Sequence, residues 1–389
     1  MTDVNVLFAR LPRLLAIGEP THSSEPLLRQ RNDLFRSLVE RDGYRTIAIE
    51  SDCLMGLVVD EYVAEGDGSL DDVMKRGFSH EWGAFAGNRE LVQWMREHNA
   101  GRDAGSRVRF AGFDGPLEIT AGASPRAAMM GLLSSCSSIL PSSSSPSSAS
   151  SGASSASASA SASAERLDEL LGEDERWTNP AAMMDPSQSV GRTGDAIRLR
   201  VLADEMAGLV EAWTPQLGAD LERARLYART AIGLLRYHYA MADTSPNRIE
   251  RMLGVRDSMM AANLLALADH GPTLANGQNA HFQRHKSSMR MGGEPVEWWS
   301  AGAIAGVHLG TDYGFLAGAA GTIREHGVGV PPAGTVEGSL YALPLPDGRF
   351  VGRVTEAPGA ARVSPWFGYA PLDPSHLGDV DGIVFVKDA

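Results

Sequence analysis

Glu19 and His22 stand three residues apart in Gly18-Glu19-Pro20-Thr21-His22, directly after the apolar run Leu14-Leu15-Ala16-Ile17. A carboxylate and an imidazole on one short turn that cannot hide them both make an acid/base pair. Glu50 closes a second apolar run, Thr46-Ile47-Ala48-Ile49. If that strand neighbours the first, two carboxylates share one edge and raise each other's pKa. A third apolar run, Thr273-Leu274-Ala275, leads into Gly277-Gln278-Asn279-Ala280-His281. There His281 would face His22 across a cleft, with Gln278 and Asn279 as amide donors to a developing oxyanion. Arg31, nine residues past His22, can point back toward this acidic site, whereas Arg29 reads as a solvated residue. Trp82, Trp94, Trp298 and Trp299 offer pocket walls, although the ordinary place for an isolated aromatic is the core. His285 is flanked by Arg284 and Lys286 and reads as part of a solvated segment.

These groups need elements that bring them to one place. Strand, polar turn and helix follow one another at Glu19 and His22, and open α/β sheets bind their ligands at the carboxyl ends of such strands. Ser24 to Asp42 carries Leu27, Leu28, Leu34, Phe35, Leu38 and Val39 at helical spacing, with Ser24 as N-cap, Pro26 in the first turn and Gly43 as the stop. Further helices are expected over Val58 to Ala64 and Asn88 to Asn99, and a third strand over Val108 to Asp114. Strands separated by helices predict an α/β fold with a mostly parallel central sheet flanked by helices. Four regions follow: a first α/β part over 1–132, a Ser/Ala-rich disordered insertion over 133–164, a helical region over 165–269 and a second α/β part over 270–389. The helical region would cover the sheet or cap its active edge. In the last part, Thr273 to Gly277, Gly314 to Ile323, Ser339 to Leu345, Phe350 to Val354 and Gly382 to Val386 read as strands.

Composition narrows the class of partner. Of 389 residues, 35 are basic and 48 acidic, a formal charge of -13 without any basic block, which argues against nucleic acid or an anionic membrane as partner. A small-molecule substrate fits this balance. The N-terminus lacks the pattern of a signal peptide and no apolar run nears the roughly 20 residues of a membrane span, so a cytoplasmic location is expected. Cys53 and Cys136 are the only cysteines and are not expected to pair. Two histidines and two glutamates can bind a divalent metal, but no spacing demands one and HExxH is missing, so neither metal nor cofactor is expected. No GxSxG elbow occurs, which speaks against a serine hydrolase triad.

Six segments in order resemble the motifs of the erythromycin esterase family. Gly18-Glu19-Pro20-Thr21-His22 is similar to its Gly-Glu-x-Thr-His motif, and Ile47 to Asp52 to its second-strand motif. Trp82 with Glu90 to Asn99, then Phe110 to Asp114, resemble its Trp helix region and third strand. Arg256 to Asn263 resembles its Arg-Asp-x-Met helix, and Gln278 to His281 its His-Asn-x-His strand end. The resemblance runs from Leu14 to Val386. It implies a hydrolase that opens macrolide or other lactones, with His22 as general base on water, Glu19 and Glu50 orienting the base or the water, and His281 and Arg31 binding or polarising the ester carbonyl. Gln278, Asn279 and Trp82 complete the expected substrate-binding set.

Two departures stand out. Gln278 replaces the family's first histidine of that strand end, and Ser23 the glycine after His22. Gln278 keeps an amide but loses a group that titrates near pH 7. That loss favours a second reading: a dehydratase, lyase or cyclase of a secondary-metabolite pathway that moves protons with the same residues without adding water. A protein that merely sequesters a small molecule is a third, and the retained His/Glu set argues against it.

Overall fold

Along the first strand successive side chains point to opposite faces. Leu15 and Ile17 enter one apolar cluster with Phe35, Leu38, Ile47, Ile49, Val92 and Met95. Leu14 and Ala16 enter another with Ala48, Phe113, Leu264, Ala275 and Phe315. A strand buried on both faces is what a parallel sheet between two helical layers requires. The computed structural model describes residues 4–22, 24–137, 152–291, 293–354, 359–364, 366 and 368–389. The chain divides into two compact units, residues 1–114 with 260–389, and residues 115–259.

The first unit is built on a seven-stranded sheet. Its strands are β1 (Leu14–Glu19), β2 (Thr46–Asp52), β3 (Arg109–Asp114), β4 (Thr273–Gln278), β5 (Tyr313–Thr322), β6 (Arg349–Gly352) and β7 (Gly382–Asp388). Their order is β6-β7-β5-β1-β4-β2-β3, with β6 antiparallel to β7 and every other pairing parallel. The expected mostly parallel sheet is present. One feature of its order changes the site: β1 and β2 are not neighbours, because β4 lies between them and pairs with both. Register aligns Glu19 with Gln278, so the three strand ends finish together.

Helix α1 (Glu25–Asp42) follows β1, α2 (Gly56–Glu65) follows β2, and α3 (Ala86–Asn99) precedes β3. Pro26 lies in the first turn of α1, and Gly43 ends it at φ 75°, a conformation that glycine adopts without steric cost. Ser24 occupies the N-cap position, but its hydroxyl makes no capping bond.

Ser339 to Leu345, expected as a strand, is instead the end of the helix Val336–Tyr341 and the turn after it. Thr335 caps that helix by accepting the Gly338 N–H at 3.1 Å, a local signal that outweighs a short apolar run. The segment from Lys286 onward, read as solvated, forms an antiparallel hairpin of Lys286–Met291 with Glu294–Trp299. Trp298 is buried in it and Trp94 packs edge-on against Phe35, as the core reading expects, whereas Trp299 is exposed.

The second unit is helical, with Arg126–Ser137, Gly152–Leu171, Gly194–Ala212 and Leu221–Met241 as its longer members. Of the Ser/Ala-rich stretch expected to be disordered, residues 138–151 lie outside the described residues, while Leu133 to Ser137 and Gly152 to Ala164 are helical. Burial pushes the His238 imidazole down to about 4, only partly opposed by its hydrogen bond to the Ala123 carbonyl at 2.8 Å. Cys53 and Cys136 are both buried, and no disulfide joins them. Among the described residues no helix is long and apolar enough to cross a membrane.

Candidate active site

The carboxyl ends of β1, β4 and β2 carry Glu19, Gln278 and Glu50. His22 lies in the turn from β1 to α1, and His281 in the single helical turn Asn279–Phe282 after β4. The four expected catalytic residues therefore meet at one edge, although they come from three strands. His22 Nδ1 is 3.2 Å from Glu19 Oε2, and His22 Nε2 is 3.9 Å from Glu50 Oε1. His281 Nε2 stands 3.2 Å from the same Glu50 oxygen, while Glu50 Oε2 accepts the Gln278 N–H at 2.7 Å. Ionised carboxylates only accept, so His22 donates from Nδ1 to Glu19 and its Nε2 carries the lone pair. His22 keeps 31% of its side chain exposed, against 7% for Glu19 and 5% for Glu50. His22 is thus the accessible member of the three, and both carboxylates are buried.

Two glycines make room for this arrangement. A Cβ on Gly277 would come within 2.7 Å of Glu50 Oε2, and one on Gly18 within 1.9 Å of Asn279 Oδ1. Gly277→Ala is expected to displace the Glu50 carboxylate and lower turnover by about 10-fold or more, since an ångström of misplacement in a positioned group costs up to ~10²-fold. Steady-state kinetics beside an unchanged far-UV spectrum would check it.

Burial disfavours the imidazolium of His22, yet the charges of Glu50 and Glu19 and the bond from Glu19 outweigh it, so its pKa is raised above 6.5. The sign then follows. Catalysis by the neutral ring rises with pH through that raised value, so the acid limb of kcat/KM is expected above pH 6.5. Stability runs the other way: a raised folded-state pKa contributes stability fully below about pH 6.5 and loses it as pH climbs through the folded-state value. A pH–rate profile and denaturant unfolding at several pH values test both limbs. An acid limb below about 6.5 would contradict the geometry.

Arg31 and Asn279, expected to meet substrate, have their hydrogen-bonding groups engaged inside the protein. Asn279 exchanges two bonds with the Gly318 peptide, at 2.9 and 2.8 Å, and so ties the end of β4 to β5 across β1. Arg31 is 2% exposed. Its guanidinium donates to the side-chain oxygens of Asn32, Asn88 and Asn276 at 2.8 to 3.2 Å. Burial draws its pKa down to about 10, opposed by the charges of Glu19 and Glu25, so it remains a cation at neutral pH. This buried positive charge stands behind Glu19 rather than in front of it. Arg31→Met leaves three buried amide oxygens short of a donor, and a loss of roughly 2–4 kcal/mol in unfolding free energy is expected. Chemical denaturation would measure it, and a loss under about 1 kcal/mol would remove the structural role.

Asn88 extends the network to Trp82, whose carbonyl accepts its Nδ2 at 2.9 Å. The Trp82 ring lies 4.9 Å from His22, so this tryptophan is at the site as expected. Gln278 is partly buried beside it at the strand end.

A residue that sequence reasoning passed over also belongs here. The His80 ring lies 5.6 Å from that of Trp82, and its Nδ1 is 2.8 Å from Ser79 Oγ. Ser79 Oγ is in turn 3.1 Å from Oγ of Ser51, the residue after Glu50. His80 and Glu81 both have positive φ, 56° and 57°. Two successive non-glycine residues held so are costly and collect at functional sites. The available signal was the sequence Ser79-His80-Glu81-Trp82, with a titratable pair beside the chosen tryptophan.

A cavity of about 310 Å³ opens beside His22, bounded by Thr21, Glu25, Pro26, Ile323, Arg324 and His326 among others. It lies at the lower end of the ~300–1,000 Å³ typical of small-molecule sites. The donors a divalent ion would meet at this edge are Glu50 Oε1 and the Nε2 atoms of His22 and His281.

The sequence matches the family model described as Erythromycin esterase over residues 39–380. The chain belongs to the erythromycin esterase family. Among solved structures, the erythromycin esterase EreC, as a mutant in its open conformation, is similar with a TM-score of 0.65 at 16% identity, over 96% of this chain and 90% of that one. A Bacillus cereus protein matches with a TM-score of 0.69 at 16% identity, and a succinoglycan biosynthesis protein with 0.69 at 14%, each over 99% of this chain and 90% of the other. At such identities these three share the fold. No curated protein matches. Membership in the erythromycin esterase family supports a hydrolase-like function.

Proposed function

We propose that this erythromycin esterase family member hydrolyses an ester or lactone of a natural-product-like small molecule, with His22 as general base. The observation that carries the proposal is the pair of contacts on one imidazole. Nδ1 is held by Glu19, and Nε2, 3.9 Å from Glu50 Oε1, belongs to a side chain that is 31% exposed. That orientation presents a lone pair to a water molecule in front of the site. Water loses a proton to Nε2 as its oxygen bonds to the acyl carbon, and the carbonyl oxygen takes the negative charge. Collapse of the tetrahedral intermediate breaks the acyl–oxygen bond, and the proton returns from Nε2 to the departing alkoxide. Glu19 and Glu50 favour the imidazolium formed in between, and a positioned base of this kind contributes roughly 10²–10⁴-fold. His281, whose Nε2 lies against Glu50 Oε1, would serve the oxyanion through its other nitrogen as an imidazolium. The cavity beside His22 supports a small-molecule substrate, and its modest volume favours one smaller than a large macrolide.

Gln278 at the strand end favours the second reading, a dehydratase, lyase or cyclase using the same residues. Mass spectrometry of the protein with a panel of macrolides, smaller lactones and simple esters separates the two. From a lactone, a product heavier by one water establishes hydrolysis, and from a simple ester the separate acid and alcohol do. A product lighter by one water, or an isomer, establishes the second reading and ends the first.

A further inference from the structure

Away from His22, the amino ends of β5 and β7 are bound together by Arg284. Its guanidinium donates to the Tyr313 carbonyl at 3.0 Å, to the Asp379 carbonyl at 2.5 Å and to Asp381 Oδ2 at 2.7 Å. Tyr313 opens β5, and Asp381 immediately precedes β7. Both strands run parallel to β1, so this cluster lies at the opposite end of the sheet from Glu19. Beside Arg284, the imidazoles of His285 and His376 stack with centroids 3.6 Å apart and planes 20° from parallel. His376 Nδ1 is 3.5 Å from Asp379 Oδ2, three residues on in the turn Pro374–Asp379. One ligand-capable atom from each of His285, His376 and Asp379 lies within 4.8 Å of the other two.

We propose that His285, His376 and Asp379 bind a first-row divalent transition cation, with zinc as the type ion, at the amino edge of the sheet. Nitrogen and carboxylate donors in this number suit zinc, which takes three protein ligands and leaves a fourth position to water. His285 carries the arrangement that metal-binding histidines use. Its Nδ1 lies 2.9 Å from the Lys286 carbonyl, which can only accept, so Nδ1 holds the proton and Nε2 keeps its lone pair. Ligand atoms around a tetrahedral zinc stand roughly 3.3–3.5 Å apart for bonds of about 2.0–2.1 Å. Atoms within 4.8 Å of one another can reach that spacing, provided the rings turn out of their stack, because the in-plane lone pairs of near-parallel rings do not converge on one ion. Side chains in this position have that freedom, since His376 and Asp379 are 45% and 50% exposed.

The charges around the site permit a cation. Arg284 is the positive neighbour, and its charge is matched by Asp381. Asp379 supplies the anionic ligand, and Asp373 stands close enough for both rings to act on its carboxylate. Bound metal would clip the turn after His281 to the segment that leads into β7. Its effect falls on stability, because a ligand that binds only the folded chain shifts unfolding in its favour.

The test uses the full chain, stripped with a chelator and dialysed, then titrated with zinc chloride alone by calorimetry, and with cobalt followed by visible absorption. The expected result is one equivalent bound with a Kd of about 10 µM or tighter, a raised thermal midpoint and the cobalt bands of a tetrahedral site. His376→Gln and His285→Gln should each weaken binding by about 10-fold or more, as loss of one ligand among three demands. Both variants should leave ester or lactone turnover unchanged, whatever the substrate proves to be. Failure to take up zinc at about 100 µM overturns the proposal. So does uptake that survives the double substitution, or uptake lost in His22→Ala instead, which would put the ion at the catalytic edge.

Discussion

His22→Ala is expected to abolish measurable hydrolysis, a fall of roughly 10²–10⁴-fold in kcat from loss of the base alone. The substitution removes the imidazole of this edge that pairs with Glu19 and keeps 31% of its side chain exposed. The fold should be kept, since a third of the side chain is already exposed, and stability should fall chiefly below about pH 6.5, where the raised His22 pKa contributes it. Substrate binding is expected to survive, so KM should move much less than kcat. Added imidazole should restore part of the rate by occupying the space left beside Glu19. Incubation with a lactone that the native protein turns over, followed by mass spectrometry for the gain of one water, measures the effect. A variant retaining a tenth of the native rate would remove His22 from the role of base.

Glu50→Gln has the second largest expected effect. Glu50 is the hub of the edge: one oxygen faces both His22 and His281, and the other accepts the Gln278 N–H. Glutamine keeps the shape and removes the charge. Burial already disfavours protonation of His22, and Glu50 is the strongest influence opposing it, so the His22 pKa should drop and the acid limb of the pH profile move to lower pH. The same loss withdraws stabilisation from the imidazolium that forms in the transition state, and a fall on the order of 10²-fold in kcat is expected. Glu50→Ala should in addition destabilise the chain by about 1–3 kcal/mol, because the buried Gln278 N–H then loses its acceptor. The two variants separate electrostatics from packing. A Glu50→Gln protein with native kcat and an unmoved acid limb would show that the carboxylate does no more than fill space.

Much of the candidate site was legible because its chemistry sits at strand ends. A buried strand must finish in a polar turn, and a reactive side chain at or just past that point is carried to the sheet edge whatever the rest of the fold does. That rule located Glu19, His22, Glu50 and His281 from local sequence alone. It also placed α1, whose apolar spacing, Pro26 and Gly43 are local signals. Local signals misled where a short apolar run stood beside a helix cap, as at Thr335. Arg31 shows another boundary: its place nine residues past His22 was readable, but its burial among Asn32, Asn88 and Asn276 was not. Those partners come from two helices and a strand, and their polarity alone suggested solvent rather than a buried network.

The sequence by itself thus determined the α/β class, the strand-end residues and the family. Tertiary structure decided how those residues meet. Insertion of β4 between β1 and β2 brings Gln278 to Glu50 across 228 positions of the chain, and His281 to the same carboxylate. Strand order depends on which distant segments pair, and no local pattern of side chains encodes that choice. The conformation of His80, the room left by Gly277 and the meeting of His285 with His376 are decided in the same way, by packing between segments far apart in sequence.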